Sequence, residues 1–140
     1  MLVPILLKEE MDMKIGEYFD DYEFACHCDR HGVDAEGRNV LDHVIDKRLV
    51  DVLDRIRERL GVPITVNSGY RCPEHNAEVG GVSDSQHVLG TAADITYDGV
   101  DVDMLAEIAE ECGADGIGKY YHQDFVHVDV RGYAARWDDL

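Results

Sequence analysis

Ser85-Gln86-His87-Val88-Leu89-Gly90-Thr91-Ala92-Ala93-Asp94 reads as a turn-rich loop passing into a strand, and a later strand is entered through Asp124-Phe125-Val126-His127. Val82 to Gly90 has turn composition and Thr91 to Tyr97 is apolar and β-rich, which puts His87 on a loop and Asp94 inside a strand. Phe125 to Val130 alternates Val126, Val128 and Val130 with His127 and Asp129, the period of a strand with one buried face. Gly90 allows a sharp turn after His87, and the small side chains of Ala92 and Ala93 let the strand pack closely. Imidazole nitrogen and carboxylate oxygen suit zinc, and a catalytic zinc takes three protein ligands with a fourth position left for water. His87, Asp94 and His127 are such a set. Taken singly, each has a plain alternative as a solvated loop histidine, a turn or cap aspartate, and a hydrogen-bonded strand histidine.

Working outward, Leu41, Val44, Ile45, Leu49, Val52, Leu53, Ile56 and Leu60 fall near helical spacing, and Gly61-Val62-Pro63 ends the pattern, predicting a helix over 41–60. Ile64-Thr65-Val66 is a short strand ending at Asn67-Ser68-Gly69. Pro73 opens a brief helix through Val79, which Gly80 and Gly81 close. Asp103 to Cys112 repeats apolar residues at Met104, Leu105, Ile108 and Ala109 as a second amphipathic helix. Strands near Gly116–Tyr121 and Phe125–Val130 complete the chain. The class is α+β, a small and mostly antiparallel sheet with helices on one side. At 140 residues, 1–140 is read as a single domain with 1–20 as an N-terminal arm or edge strand.

The formal charge of −17, from 30 acidic residues against 13 basic ones, would repel nucleic acid and anionic lipid, so neither is expected as a partner. It fits a protein kept soluble by charge in high salt, and equally an ordinary acidic protein. The apolar run Leu2–Leu7 is too short for a signal-peptide core and lacks a preceding basic region, so a soluble cytoplasmic product is expected. No stretch approaches the roughly 20 apolar residues of a membrane span. Cys26, Cys28, Cys72 and Cys112 form no paired CxxC pattern. Cys26-His27-Cys28 with His31 offers thiolate and imidazole donors, yet C-x-C alone is too closely spaced for a normal finger, and buried thiols or a disulfide are preferred over a second zinc. Cys72, beside Arg71, is placed to approach this segment.

Together, S-x-H-x-x-G-x-A-x-D at 85–94, D-x-x-H at 124–127 and Ser68-Gly69-Tyr70-Arg71 ahead of them resemble the zinc D-alanyl-D-alanine carboxypeptidases and related murein peptidases, whose fold is shared with the hedgehog signalling domain. The resemblance runs from about Phe24 to Trp137. It implies one catalytic Zn2+ on His87, Asp94 and His127, Asp124 as general base, and Arg71 and His122 as substrate and transition-state groups. Each role has a physical rationale. Zinc-bound water still needs a carboxylate to take its proton, a histidine can donate to a developing oxyanion, and the Arg fork suits a carboxylate. Asp124 would be on the wrong face of a regular strand, so it must lie in the turn entering it. Ser85 would touch substrate or shape the loop, and Asp129 would orient His127 or be a surface carboxylate. The related peptidases often carry a similar Phe-x-Cys-x-Cys stretch, which points to a structural role. Tyr120, Tyr121 and Trp137 are read as core or cleft lining.

The implied activity is hydrolysis of a cell-wall peptide, by removing a terminal D-alanine or cutting an internal cross-link. The substrate would be peptidoglycan. A phage-like route to the wall, with virion proteins as partners, fits the missing leader. The alternative is a non-catalytic metal-binding structural or binding module, including a tail or virion protein of a halophilic virus.

Overall fold

The computed structural model describes residues 14–28, 30, 32–41, 43–82 and 85–140. The apolar run Leu2–Leu7, in the segment read as an arm or edge strand, lies outside them. Of the proposed arm, residues 14–20 hold an isolated bridge between Lys14 and Asp20, followed by a 3-10 turn at Asp21–Phe24.

Helix α1 spans Lys47–Leu60. It starts six residues later than the apolar spacing predicts, because Asp46 is its cap and accepts from the Arg48 N–H at 2.8 Å. Asp46 is itself extended and meets the Gly90 turn, donating its N–H to the Gly90 carbonyl at 2.9 Å. A Cβ at Gly90 would overlap the Val44 carbonyl, so that close approach requires glycine. Gly61, left-handed, ends the helix. Strand β1 (Thr65–Ser68), helix α2 (Pro73–Glu78) and a short helix α3 (Gln86–Leu89) follow. Then come β2 (Ala92–Thr96), α4 (Val102–Glu111, capped by Asp101), β3 (Gly116–Tyr120), β4 (Phe125–Asp129) and β5 (Ala135–Asp138).

Among the described residues the strands form one sheet in the order β1-β2-β4-β3-β5. Three of its pairings are antiparallel and β3–β5 is parallel, so the sheet is mixed. Sequence reading did not anticipate β5, a four-residue edge strand too short for alternation to stand out. Nor did it anticipate α3, whose single turn carries His87 where a loop was expected.

The two faces of the sheet divide the molecule. Ala93, Ile95, Ile117, Val126 and Val128 pack with Leu49, Leu53 and Ile56 of α1 and with Leu105, Ala106 and Ala109 of α4 in one core. Strand alternation then sends Asp94, His127, Asp129 and Tyr120 to the opposite face. Gly116 and Gly118 keep that face open: a Cβ at Gly116 would overlap the Asp129 carboxylate, and one at Gly118 the Trp137 indole. Among the described residues no helix is long and apolar enough to cross a membrane.

Leu53 is fully buried at the contact of α1 with this core. Leu53→Ala is expected to cost about 2–5 kcal/mol, read as a lower urea midpoint at unchanged slope.

Candidate metal centre

β2 and β4 pair with Asp94 directly opposite His127, a position at which side chains on one face lie about 5 Å apart at Cβ. α3 brings the third residue. The His87 N–H donates to the Ser85 hydroxyl at 3.2 Å and the His87 carbonyl accepts from the Arg71 N–H at 3.2 Å, so the backbone carrying the ring is held at both ends. Ser85 therefore caps and shapes the loop, and it also lines the cleft. One donor atom each from His87, Asp94 and His127 lie within 4.8 Å of one another, and all three residues are buried.

The outer partners fix which nitrogen of each ring faces inward. His87 Nδ1 lies 2.7 Å from the Gly69 carbonyl, which can only accept, so Nδ1 carries the proton and Nε2 is left to face Asp94 Oδ1 at 3.2 Å. His127 Nε2 lies 2.7 Å from Asp129 Oδ2, and Nδ1 faces the same Asp94 oxygen at 3.2 Å. Asp129 is fully buried and well fixed: Arg131 donates to both its oxygens at 2.7–3.1 Å, and the backbone N–H groups of Gly116 and Arg131 donate to Oδ1 at 3.0 and 3.1 Å. With neutral rings, two nitrogen lone pairs would converge on one carboxylate oxygen in a buried place. Such an arrangement demands a cation, either a proton or a metal ion. Two imidazoles and a carboxylate, each imidazole oriented by an outer acceptor, fit a divalent ion such as zinc.

The electrostatics follow the same geometry. Burial would raise the Asp94 carboxyl, but hydrogen bonds to His127 and His87 outweigh it and hold the group far below the ordinary carboxylate range. Asp129 is likewise held low, burial being outweighed by His127 and Arg131. Burial disfavours the charged His127 ring, yet Asp129 and Asp94 prevail and raise its pKa above the ordinary value.

His87, Asp94 and His127 floor a cleft of about 790 Å³. Arg71 enters it with Nη2 3.6 Å from Asp94 Oδ2, while its Nε donates to Ser68 Oγ at 3.2 Å and its Nη1 to Asn76 Oδ1 at 3.1 Å. Tyr120, Trp137 and Arg131 line the far wall, where Trp137 Nε1 donates to the Tyr120 hydroxyl at 2.9 Å and the Trp137 ring lies 5.0 Å from that of His127. Arg131 was not anticipated in the sequence. Its position two residues past Asp129, on the same alternation, was the available signal.

Two expected residues are not brought into the cleft. Asp124 does lie in the turn entering β4, as required, but it is exposed with φ of 57° and does not line the cleft, although its neighbours Gln123 and Phe125 do. Its carbonyl accepts from Thr96 Oγ1 at 2.7 Å. His122 is drawn elsewhere: its N–H donates to Asp139 Oδ2 at 3.1 Å, its ring lies 3.8 Å from the same carboxylate, and its side chain is 62% exposed. Asp139 is held in turn by the Tyr121 N–H at 3.0 Å, so the turn and the chain end share one anchor.

Residues 17–129 match the family described as Peptidase M15. The chain belongs to the Peptidase M15 family. It is 34% identical over 100 residues to the peptidoglycan L,D-endopeptidase MepK of Escherichia coli (strain K12), an alignment covering 66% of this chain and 54% of that protein. It is 39% identical over 80 residues to the zinc D-Ala-D-Ala carboxypeptidase of Streptomyces albus G, covering 54% and 31%. This M15 chain thus spans about half the length of the Escherichia coli relative, and less of the Streptomyces protein.

In the metal-free protein His127 is expected to titrate above an ordinary histidine, and Asp129→Asn to lower that value, both read by NMR of the ring protons. Because the folded pKa is raised, the stability His127 contributes is fully present below about 6.5 and is lost as pH rises through the folded value. Asp94 and Asp129 act oppositely: their contribution is present above about 3.9 and is lost as pH falls toward their lowered folded values. A metal-free urea series across pH should show both slopes.

Proposed function

We propose that this chain is a zinc peptidase that cuts a peptide bond of peptidoglycan, with His87, Asp94 and His127 holding one Zn2+. The observation that carries this reading is the pair of buried imidazole nitrogens, each turned inward by an outer acceptor, converging on one carboxylate oxygen at 3.2 Å. The names of the M15 relatives, a peptidoglycan L,D-endopeptidase and a zinc D-Ala-D-Ala carboxypeptidase, support both the metal and the substrate class. Zinc bound there would acidify a water molecule and polarise the scissile carbonyl.

The chain's own residues supply the rest. Asp129 and the Gly69 carbonyl keep the protons of His127 and His87 on their outer nitrogens, so both inner lone pairs stay available. Arg71 donates from Nε to Ser68 and from Nη1 to Asn76, and its Nη2 pairs with Asp94 at 3.6 Å; its other N–H groups are directed to substrate oxygen in this reading. Asp124 is assigned as the base that takes the water's proton and delivers it to the leaving amine. That role needs the 121–124 turn to carry its carboxylate past Gln123 when substrate binds, and catalytic contacts often tighten only in the complex. His122, on the same turn, would donate to the developing oxyanion once its ring leaves Asp139, 3.8 Å away here. Whether carried on a phage particle or released within a cell, the enzyme would meet the same wall substrate.

A second reading, a module that binds metal and wall peptide without turnover, is favoured by the exposed position of Asp124. Digestion of purified peptidoglycan and of defined muropeptides, followed by mass spectrometry, separates the two and identifies the bond cut. Asp124→Asn is expected to lower kcat by about 10²–10⁴-fold with zinc content unchanged. His87→Ala should lose that zinc. If wild type holds the zinc and releases nothing from any fragment, the binding-module reading stands.

A further inference from the structure

Away from the cleft, Cys26, Cys28 and Cys72 form a triangle of sulfur atoms with sides of 3.5, 3.7 and 3.7 Å. Cys26 and Cys72 are buried and Cys28 half-buried. A disulfide would bring one pair to about 2.05 Å and leave the third sulfur apart, whereas here no pair is singled out. Three thiolates on a tetrahedral zinc with Zn–S of about 2.3 Å stand roughly 3.8 Å from one another, close to the observed triangle.

Cys26 and Cys72 pack with Tyr70 in a small buried cluster, and polar hydrogens reach the sulfur atoms there. The Cys72 N–H donates to Cys26 Sγ at 3.4 Å and the His75 N–H to Cys72 Sγ at 3.4 Å. The Arg30 guanidinium lies 4.0 Å from Cys72 Sγ, giving a positive charge beside what would be a net anionic metal–thiolate group.

We propose that Cys26, Cys28 and Cys72 bind a second, structural Zn2+, with the fourth position filled by a donor outside this trio. Binding replaces each remaining S–H proton with a Zn–S bond and releases that proton to solvent, with no change of oxidation state. The ion would clamp the irregular segment after Phe24 to the start of α2, next to Arg71.

The test uses the full chain purified under reducing conditions, and it is separable from the peptidase reading because no sulfur atom lines the cleft among the described residues. Metal analysis should give two zinc equivalents for wild type, and one each for His127→Ala and Cys28→Ser. Replacement by Co2+ should give a near-ultraviolet thiolate-to-cobalt charge-transfer band that persists in His127→Ala and disappears in Cys28→Ser. The half-buried position of Cys28 makes it the variant best able to fold, and the band in wild type needs no variant at all. One zinc equivalent without such a band would overturn the proposal. So would three thiols titrating freely without chelator, or an intact mass lower by two hydrogens, the mark of a disulfide.

Discussion

The pairing of Asp94 with His127 across β2 and β4 constrains much of the rest of the molecule. Once these two residues are opposite each other on one face, alternation fixes Ala93, Ile95, Val126 and Val128 on the other. The same register that builds the cluster therefore builds the core. A slip of one residue would expose the valines and bury the wrong side chains, so the hydrophobic core holds the polar cluster in register with its full energy. The register so held sets two inward nitrogens against one carboxylate oxygen, a conflict that a bound cation relieves.

That conflict is maintained by partners one layer out. Asp129 lies on β4 between Ala92 and Gly116 in the register, and both neighbours are small. The space they leave is filled by the Asp129 carboxylate, whose charge Arg131 balances. Gly118 does the same for Trp137, whose ring rests against His127. Small residues on the central strands are thus a condition for packing aromatic and charged groups on the cleft face, at some loss of strand propensity.

Much of this was legible in the sequence because it depends on short periods. The alternation of 125–130 and the S-x-H-x-x-G-x-A-x-D run locate His87, Asp94 and His127, and with them the two strands of the cluster. Asp129 was legible as a face-mate of His127, though its complete burial was not, since burial depends on Gly116 from a different strand. The start of α1 was misjudged because apolar residues continue at helical spacing through 41–45 while Asp46 caps the helix and donates its own N–H to Gly90, distant in sequence. Asp124 and His122 show a different limit. A motif specifies order along the chain, but the 121–124 turn is oriented by Asp139 and Thr96, which no local pattern connects to it.

Gly69 links the cleft to the thiol cluster. Its carbonyl fixes His87, and a Cβ on it would overlap the backbone of Phe24; the next residue, Tyr70, donates its N–H to the Phe24 carbonyl at 2.9 Å. The position of the His87 ring therefore depends on where the Phe24–Cys28 segment lies. That segment belongs to no sheet or long helix. Among the described residues its ties include the Asn39 amide donating to the Cys26 carbonyl at 3.1 Å and the sulfur contacts to Cys72. Phe24, Ala25 and Cys26 are buried, so packing holds the segment where ladder bonds do not. A metal ion on Cys26, Cys28 and Cys72 would add a second tie at the point that leads through Gly69 to His87, so the thiol cluster bears on the cleft without touching it.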